Sequence, residues 1–143
     1  MNLKLAAPVA FFACLTLLGG RRDFISHSGM YGGDESALLG DWHGTSLCLV
    51  KPSACHDEEA LYHVKALPQQ SGKFSLQADK IVDGKPVVMG TADCSYDAPK
   101  RLLRCDFPKG YIELTLQNDH LDGSMFLPDK TRWREIKLTK ARP

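Results

Sequence analysis

No stretch of this chain sustains the 3.6-residue apolar repeat of an amphipathic helix, and no apolar run reaches the roughly 20 residues that a bilayer-spanning helix needs. Basic blocks are missing too. The 18 Lys and Arg are interleaved with 17 Asp and Glu, whereas binding a phosphate backbone needs concentrated positive charge, so nucleic acid is not an expected partner. The sequence also lacks Gly-x-Ser-x-Gly, a phosphate loop, His-Glu-x-x-His and Cys-x-x-Cys. Nothing in it motivates an enzyme, and no cofactor is expected.

What is present begins with an export signal. Residues 1–20, "MNLKLAAPVAFFACLTLLGG", place Lys4 before the 14-residue apolar run Leu5–Leu18 and end on two glycines, the layout of a secretory signal peptide. Arg21 and Arg22 directly after it leave open an uncleaved anchor extending to residue 22, the one route by which a membrane enters this reading. Lys4, Arg21 and Arg22 fall in residues 1–22 and no acid does, so 15 basic residues face 17 acidic ones beyond that point. Residues 21–37, rich in Gly, Ser and charge with no period, read as a flexible leader.

Beyond the signal four cysteines remain: Cys48, Cys55, Cys94 and Cys105. An even count behind an export signal indicates two disulfides in an oxidising, extracytoplasmic compartment, periplasmic or secreted. Of the three connectivities, Cys48–Cys55 and Cys94–Cys105 are favoured, because each pair is close in sequence and flanks a turn-like segment. Each short bridge contributes about 2–3 kcal/mol on the chain-entropy model.

Residues 38–140 then read as one all-β domain. Short runs rich in Val, Ile, Leu, Phe and Thr are separated by turn chemistry, including Asp83-Gly84, Pro99 and "LPDK" at 127–130. Seven connections divide eight expected strands, at 42–50, 60–67, 73–82, 85–96, 101–107, 111–117, 121–127 and 131–139. Links of hairpin length force neighbours to pair antiparallel, and a meander this long leaves two raw edges unless it closes. The expectation is an eight-stranded antiparallel up-and-down β-barrel, with a two-sheet sandwich as the alternative. Alternation assigns Phe74, Leu76, Ile112, Leu114, Leu116 and Met125 to the interior. One conflict follows from register. A tight Asp83-Gly84 turn sets Ala78 opposite Met89 and turns Cys94 to the face away from Phe74, so the Cys94 bridge lies outside unless a bulge near Ile81 and Pro86 resets the pairing.

Gly40 and Trp42, at the start of the first strand, resemble the Gly-x-Trp of calycin-type barrels: lipocalins, fatty-acid-binding proteins, avidins and small periplasmic inhibitors of bacterial metalloproteases. The longer pattern "GDWHGTSLC … ACHDEEALY … DKIVDGK" is similar to small exported bacterial proteins. The resemblance implies that Trp42 closes one end of the barrel, with Arg134 or Arg132 packed across it. Eight strands with an apolar inner face lead to the expectation of a non-enzymatic module that binds a small hydrophobic ligand or an extracytoplasmic protein. The alternatives are a periplasmic protease inhibitor acting through the leader and a structural envelope protein.

Other clusters have plainer readings. His43, Cys48, Cys55, His56 and His63 form a zinc-like set, but the wide Cys spacing and the exported setting favour a disulfide, and no metal is expected. Asp57, Glu58 and Glu59 read as solvated carboxylates on a connecting loop. Ser46 is a strand residue with no base in view, and Trp133 reads as an outward aromatic.

Overall fold

The structure, a computed structural model, describes residues 33–142. Residues 1–20, expected to be a signal peptide, and residues 21–32 of the expected leader lie outside the described residues. Gly33–Leu38 form a short helix, α1, and eight strands follow: β1 Gly40–Cys48, β2 Glu58–Ala66, β3 Lys73–Val82, β4 Lys85–Asp97, β5 Leu102–Phe107, β6 Gly110–Gln117, β7 His120–Phe126 and β8 Arg132–Lys140. Each strand pairs antiparallel with the next, and β8 returns to β1, closing an up-and-down barrel. The expected strands are all there, with ends within two residues. The leader is corrected at its last part, since residues 33–37 belong to α1 and Leu38 is fully buried. A single helical turn carries too little periodicity to be legible.

Closure has visible causes in the sequence. A side-chain carbon at Gly44 would fall on the Lys137 carbonyl oxygen, and one at Gly123 on the Glu113 carbonyl oxygen. Both glycines let a strand coil where its neighbour approaches, as a small barrel demands. Asp83 and Gly84 both take positive φ, 51° and 74°, and join Val82 to paired Lys85 in a two-residue hairpin.

The register conflict is resolved by a bulge, in a different place from the one expected. Ala78 pairs with Gly90 and Asp79 with Val88, so Met89 is the extra residue on β4. That insertion sets Cys94 opposite Phe74 and turns it inward, where it bridges to Cys105 directly across the β4–β5 ladder. Both cysteines are buried. Cys48 is joined to Cys55 across the β1–β2 connection. The two disulfides point to an oxidising, extracytoplasmic environment.

The lumen has two halves. At the end where β1 starts, Leu38, Trp42, Phe74, Leu103, Leu114, Leu116, Leu121 and Leu138 are all buried to 1% exposure or less and form the core. At the other end the interior is hollow. The outward positions of the strands, such as Asp41, His43, Glu59, His63, Lys65, Glu113 and Lys137, are polar or charged. Among the described residues these outward positions form no continuous apolar band of the kind that faces lipid in a membrane-spanning barrel.

Candidate ligand-binding lumen

The closed end is built around Trp42. Its indole N–H donates to the Leu38 carbonyl at 2.9 Å, drawing α1 across the base of the barrel. Gly40 enters β1 at φ 117°, a conformation suited to glycine. The cation on the ring is Lys140, whose ammonium lies 4.8 Å from the ring centroid and donates to the carbonyls of Ala37 and Leu39. Burial holds the Lys140 ammonium below the ordinary lysine range.

The expected partners, Arg132 and Arg134, are therefore corrected. Register decides this: Trp42 pairs with Lys140 across the β1–β8 seam, whereas Arg134 pairs with Cys48 at the opposite end. Arg132 donates to the Ser124 hydroxyl at 2.6 Å and approaches Glu135. Neither arginine reaches the indole.

The open half holds a cavity of about 540 Å³. Tyr62, Leu76, Ala78, Ile112 and Met125 form its apolar wall, so of the expected interior residues Leu76, Ile112 and Met125 line the hollow. Phe74, Leu114 and Leu116 belong to the packed floor. A window opens in the side. Lys85–Ala92 pair with β3 alone, because the β4–β5 ladder begins at Asp93 opposite Asp106. Met89–Ala92 on one side and Phe107–Lys109 on the other frame this gap, with Trp133 nearby on the cavity lining.

A polar group interrupts the apolar wall. The Arg134 Nη1 donates to the Ser46 carbonyl (3.1 Å), the Ser46 hydroxyl (3.3 Å) and the His56 carbonyl (3.0 Å), anchoring the disulfide-bearing connection. The Glu58 Oε2 lies 3.3 Å from the same nitrogen. The nitrogen's hydrogens are aimed elsewhere, and this buried oxygen has no hydrogen-bond partner among the described residues. Tyr62, hydrogen-bonded to Ser46, has its hydroxyl pushed up to about 12 by burial. It stays a neutral phenol across the physiological range.

Glu58 and Ser46 thus depart from the plain readings. Glu58 is in phase with Ala60, Tyr62 and Val64, all inward on β2; that alternation is the signal that separates it from its solvated neighbours. Trp133 sits at the cavity rather than simply outside.

The zinc-like set is dispersed. Cys48 and Cys55 are consumed by their bridge. His63 lies on the outer face between two carboxylates, with Nδ1 2.6 Å from Asp41 and Nε2 3.3 Å from Asp79. Gln77 donates to the second Asp79 oxygen at 3.0 Å. Among the described residues no group of three or more His, Cys, Asp or Glu is arranged to hold a metal. Chemically the site offers an apolar hollow, a neutral phenol and a charge pair of zero net charge, which suits holding a small molecule.

No protein-family model and no curated protein sequence matches the chain. Among solved structures it is similar to a redesigned β-barrel, with a TM-score of 0.53 and 17% identity, over 75% of this chain and 94% of the other. That likeness concerns the barrel fold.

Proposed function

We propose that this chain is an exported, non-catalytic barrel that carries a small, mainly apolar molecule in the open half of its lumen. The observation that carries the reading is the uneven filling of one interior. Leucines and aromatics pack the closed end, while about 540 Å³ is left hollow behind a side window. Pockets of a few hundred Å³ with apolar walls and a few convergent polar groups are the usual form of small-molecule sites. Export is inferred from the two disulfides together with the N-terminal pattern.

The polar group supports the same reading. An interior that served only stability gains little from a buried Glu58–Arg134 pair, since apolar side chains of similar volume do as well. Placed on the wall of the hollow, the pair and the Tyr62 hydroxyl orient whatever polar atom the ligand carries. Inhibition of a protease through residues 23–37 is the weaker reading, because residues 33–37 are tied into the helix on the closed end.

Titration with a hydrophobic fluorescent dye tests the proposal. Saturable uptake of one dye per chain is expected, competed by medium-chain alcohols. Ala78→Phe, which fills the hollow from its wall, should abolish uptake while leaving the fold intact. Dye uptake that never saturates, or that survives Ala78→Phe unchanged, would overturn the carrier role.

A further inference from the structure

Among the described residues, the large apolar side chains that the fold leaves exposed are Leu49, Val82, Val87, Val88 and Met89, at 42–61% exposure. Strand direction puts all five at the open rim. Four of them belong to the β3–β4 hairpin, where every residue from Val82 to Thr91 is exposed, Val88 most of all at 61%. Contiguous exposed apolar side chains of this kind mark an interaction surface.

The charge of the rim narrows the partner. Lys51 is engaged by Asp57. Lys80, Lys85, Lys109 and Lys130 make no ion pair among the described residues. Of the acids nearby, Asp106 is held by Arg104 at 3.0 Å. Asp129, which accepts from the Thr131 amide at 2.9 Å, Asp83 at the hairpin tip and Asp93 at the base of the window have no cation beside them among the described residues, so the four lysines outnumber the unpaired acids by one. The rim thus offers apolar side chains set among unpaired ammonium groups. The free edge of β4 is poorly suited to pairing with another strand. Pro86 removes a donor, the Met89 bulge twists the edge, and Lys85 guards its end.

We propose that this rim docks on an anionic lipid bilayer, with the β3–β4 hairpin entering the interface and the lumen window facing the membrane. Lysines attract the acidic headgroups and the valines and Met89 insert below them, the two attractions on which interfacial binding depends. The window stands beside the inserting hairpin, so an apolar molecule passes between bilayer and lumen with little exposure to water. The docking surface stands independently of what the lumen holds.

The two tryptophans allow a direct test on the full oxidised chain, even where the apolar residues 5–18 add an attachment of their own. Trp133 is at the open half and Trp42 at the closed end. The fluorescence of the protein is read with phosphatidylglycerol and with phosphatidylcholine vesicles carrying brominated acyl chains. Quenching is expected in phosphatidylglycerol and should be removed by Trp133→Phe. It should be at least fivefold weaker in Val88→Asp and in Lys85→Glu/Lys130→Glu. Lipid-free dye uptake by Val88→Asp should match the parent protein, which separates failure of docking from failure of the carrier role. Quenching that is absent, that falls on Trp42, or that ignores both variants overturns the proposal. A dimer in sedimentation that Val88→Asp dissociates, without lipid quenching, assigns the rim instead to a second copy of the chain.

Discussion

Truncating two inward side chains, one on each half of the lumen, separates a packed floor from a hollow chamber. Leu114 is fully buried on β6 with Leu116, Leu103 and Leu121 in the same core. Leu114→Ala removes about 2–5 kcal/mol, the lost transfer energy plus the cost of a cavity that surrounding strands cannot collapse. Met125, one layer above on β7 and paired with Ile112, already borders the hollow. Met125→Ala deletes atoms that face empty space on one side, so little new cavity is made and the loss stays below about 1.5 kcal/mol. For a domain of this size each kcal/mol is worth roughly 4–8 °C, which puts Leu114→Ala at least about 8–16 °C below the parent and Met125→Ala less than about 6–12 °C below it. Thermal and urea unfolding of the oxidised variants, followed by circular dichroism, measure both. Equal losses, or a larger loss at Met125, would refute the division of the lumen, because the upper half would then be packed like the lower.

Lys140→Met removes the cation from the Trp42 ring and the donor to the Ala37 and Leu39 carbonyls. It should cost about 1–3 kcal/mol and shift Trp42 emission to the red as α1 loosens, read in a Trp133→Phe background; unchanged emission would contradict the closing role. Tyr62 governs an alkaline transition. Its native pKa stands near 12 against 10.0 unfolded, so the folded state retains the proton longer. The stability this lends is whole below pH 10 and is lost between pH 10 and 12. At about 1.36 kcal/mol per unit the loss approaches ~3 kcal/mol, and Tyr62→Phe should flatten the fall in unfolding free energy across that window. His63→Ala leaves the nearly buried Asp79 with Gln77 alone. It should destabilise the barrel by about 1–3 kcal/mol, and Asp79→Asn/His63→Ala together should recover part of that in a double-mutant cycle.

Much of the architecture was readable because a half-buried strand writes its burial into every second residue. The eight strands follow from that alternation and from the turn residues between runs, the closed meander from links too short for anything but antiparallel neighbours, and the two bridges from cysteines close in sequence on either side of a turn. What the sequence concealed depends on register between strands distant in the chain. The identity of the cation on Trp42 turns on how β8 slides against β1, and nothing in the sequence favours Lys140 over Arg134 for that place. The Met89 bulge is likewise a property of a closed sheet: a regular hairpin puts Cys94 outside, and only the inserted residue lets its sulfur reach the core. Glu58 was legible in principle, being in phase with Ala60 and Tyr62, but its acidic neighbours made the whole run look solvated. The hollow was the least legible feature. Leu76, Ile112 and Met125 belong to the same inward pattern as Phe74, Leu114 and Leu116, and alternation marks which side chains point inward without saying whether they meet.

The central claim is that the open half of the lumen is an apolar chamber able to hold a guest. Anomalous diffraction from crystals of the oxidised protein under xenon pressure tests it most directly. The account predicts xenon between Leu76, Ile112 and Met125 and none among Phe74, Leu114 and Leu116. Xenon absent from the upper half, with its volume occupied by side chains, would contradict it.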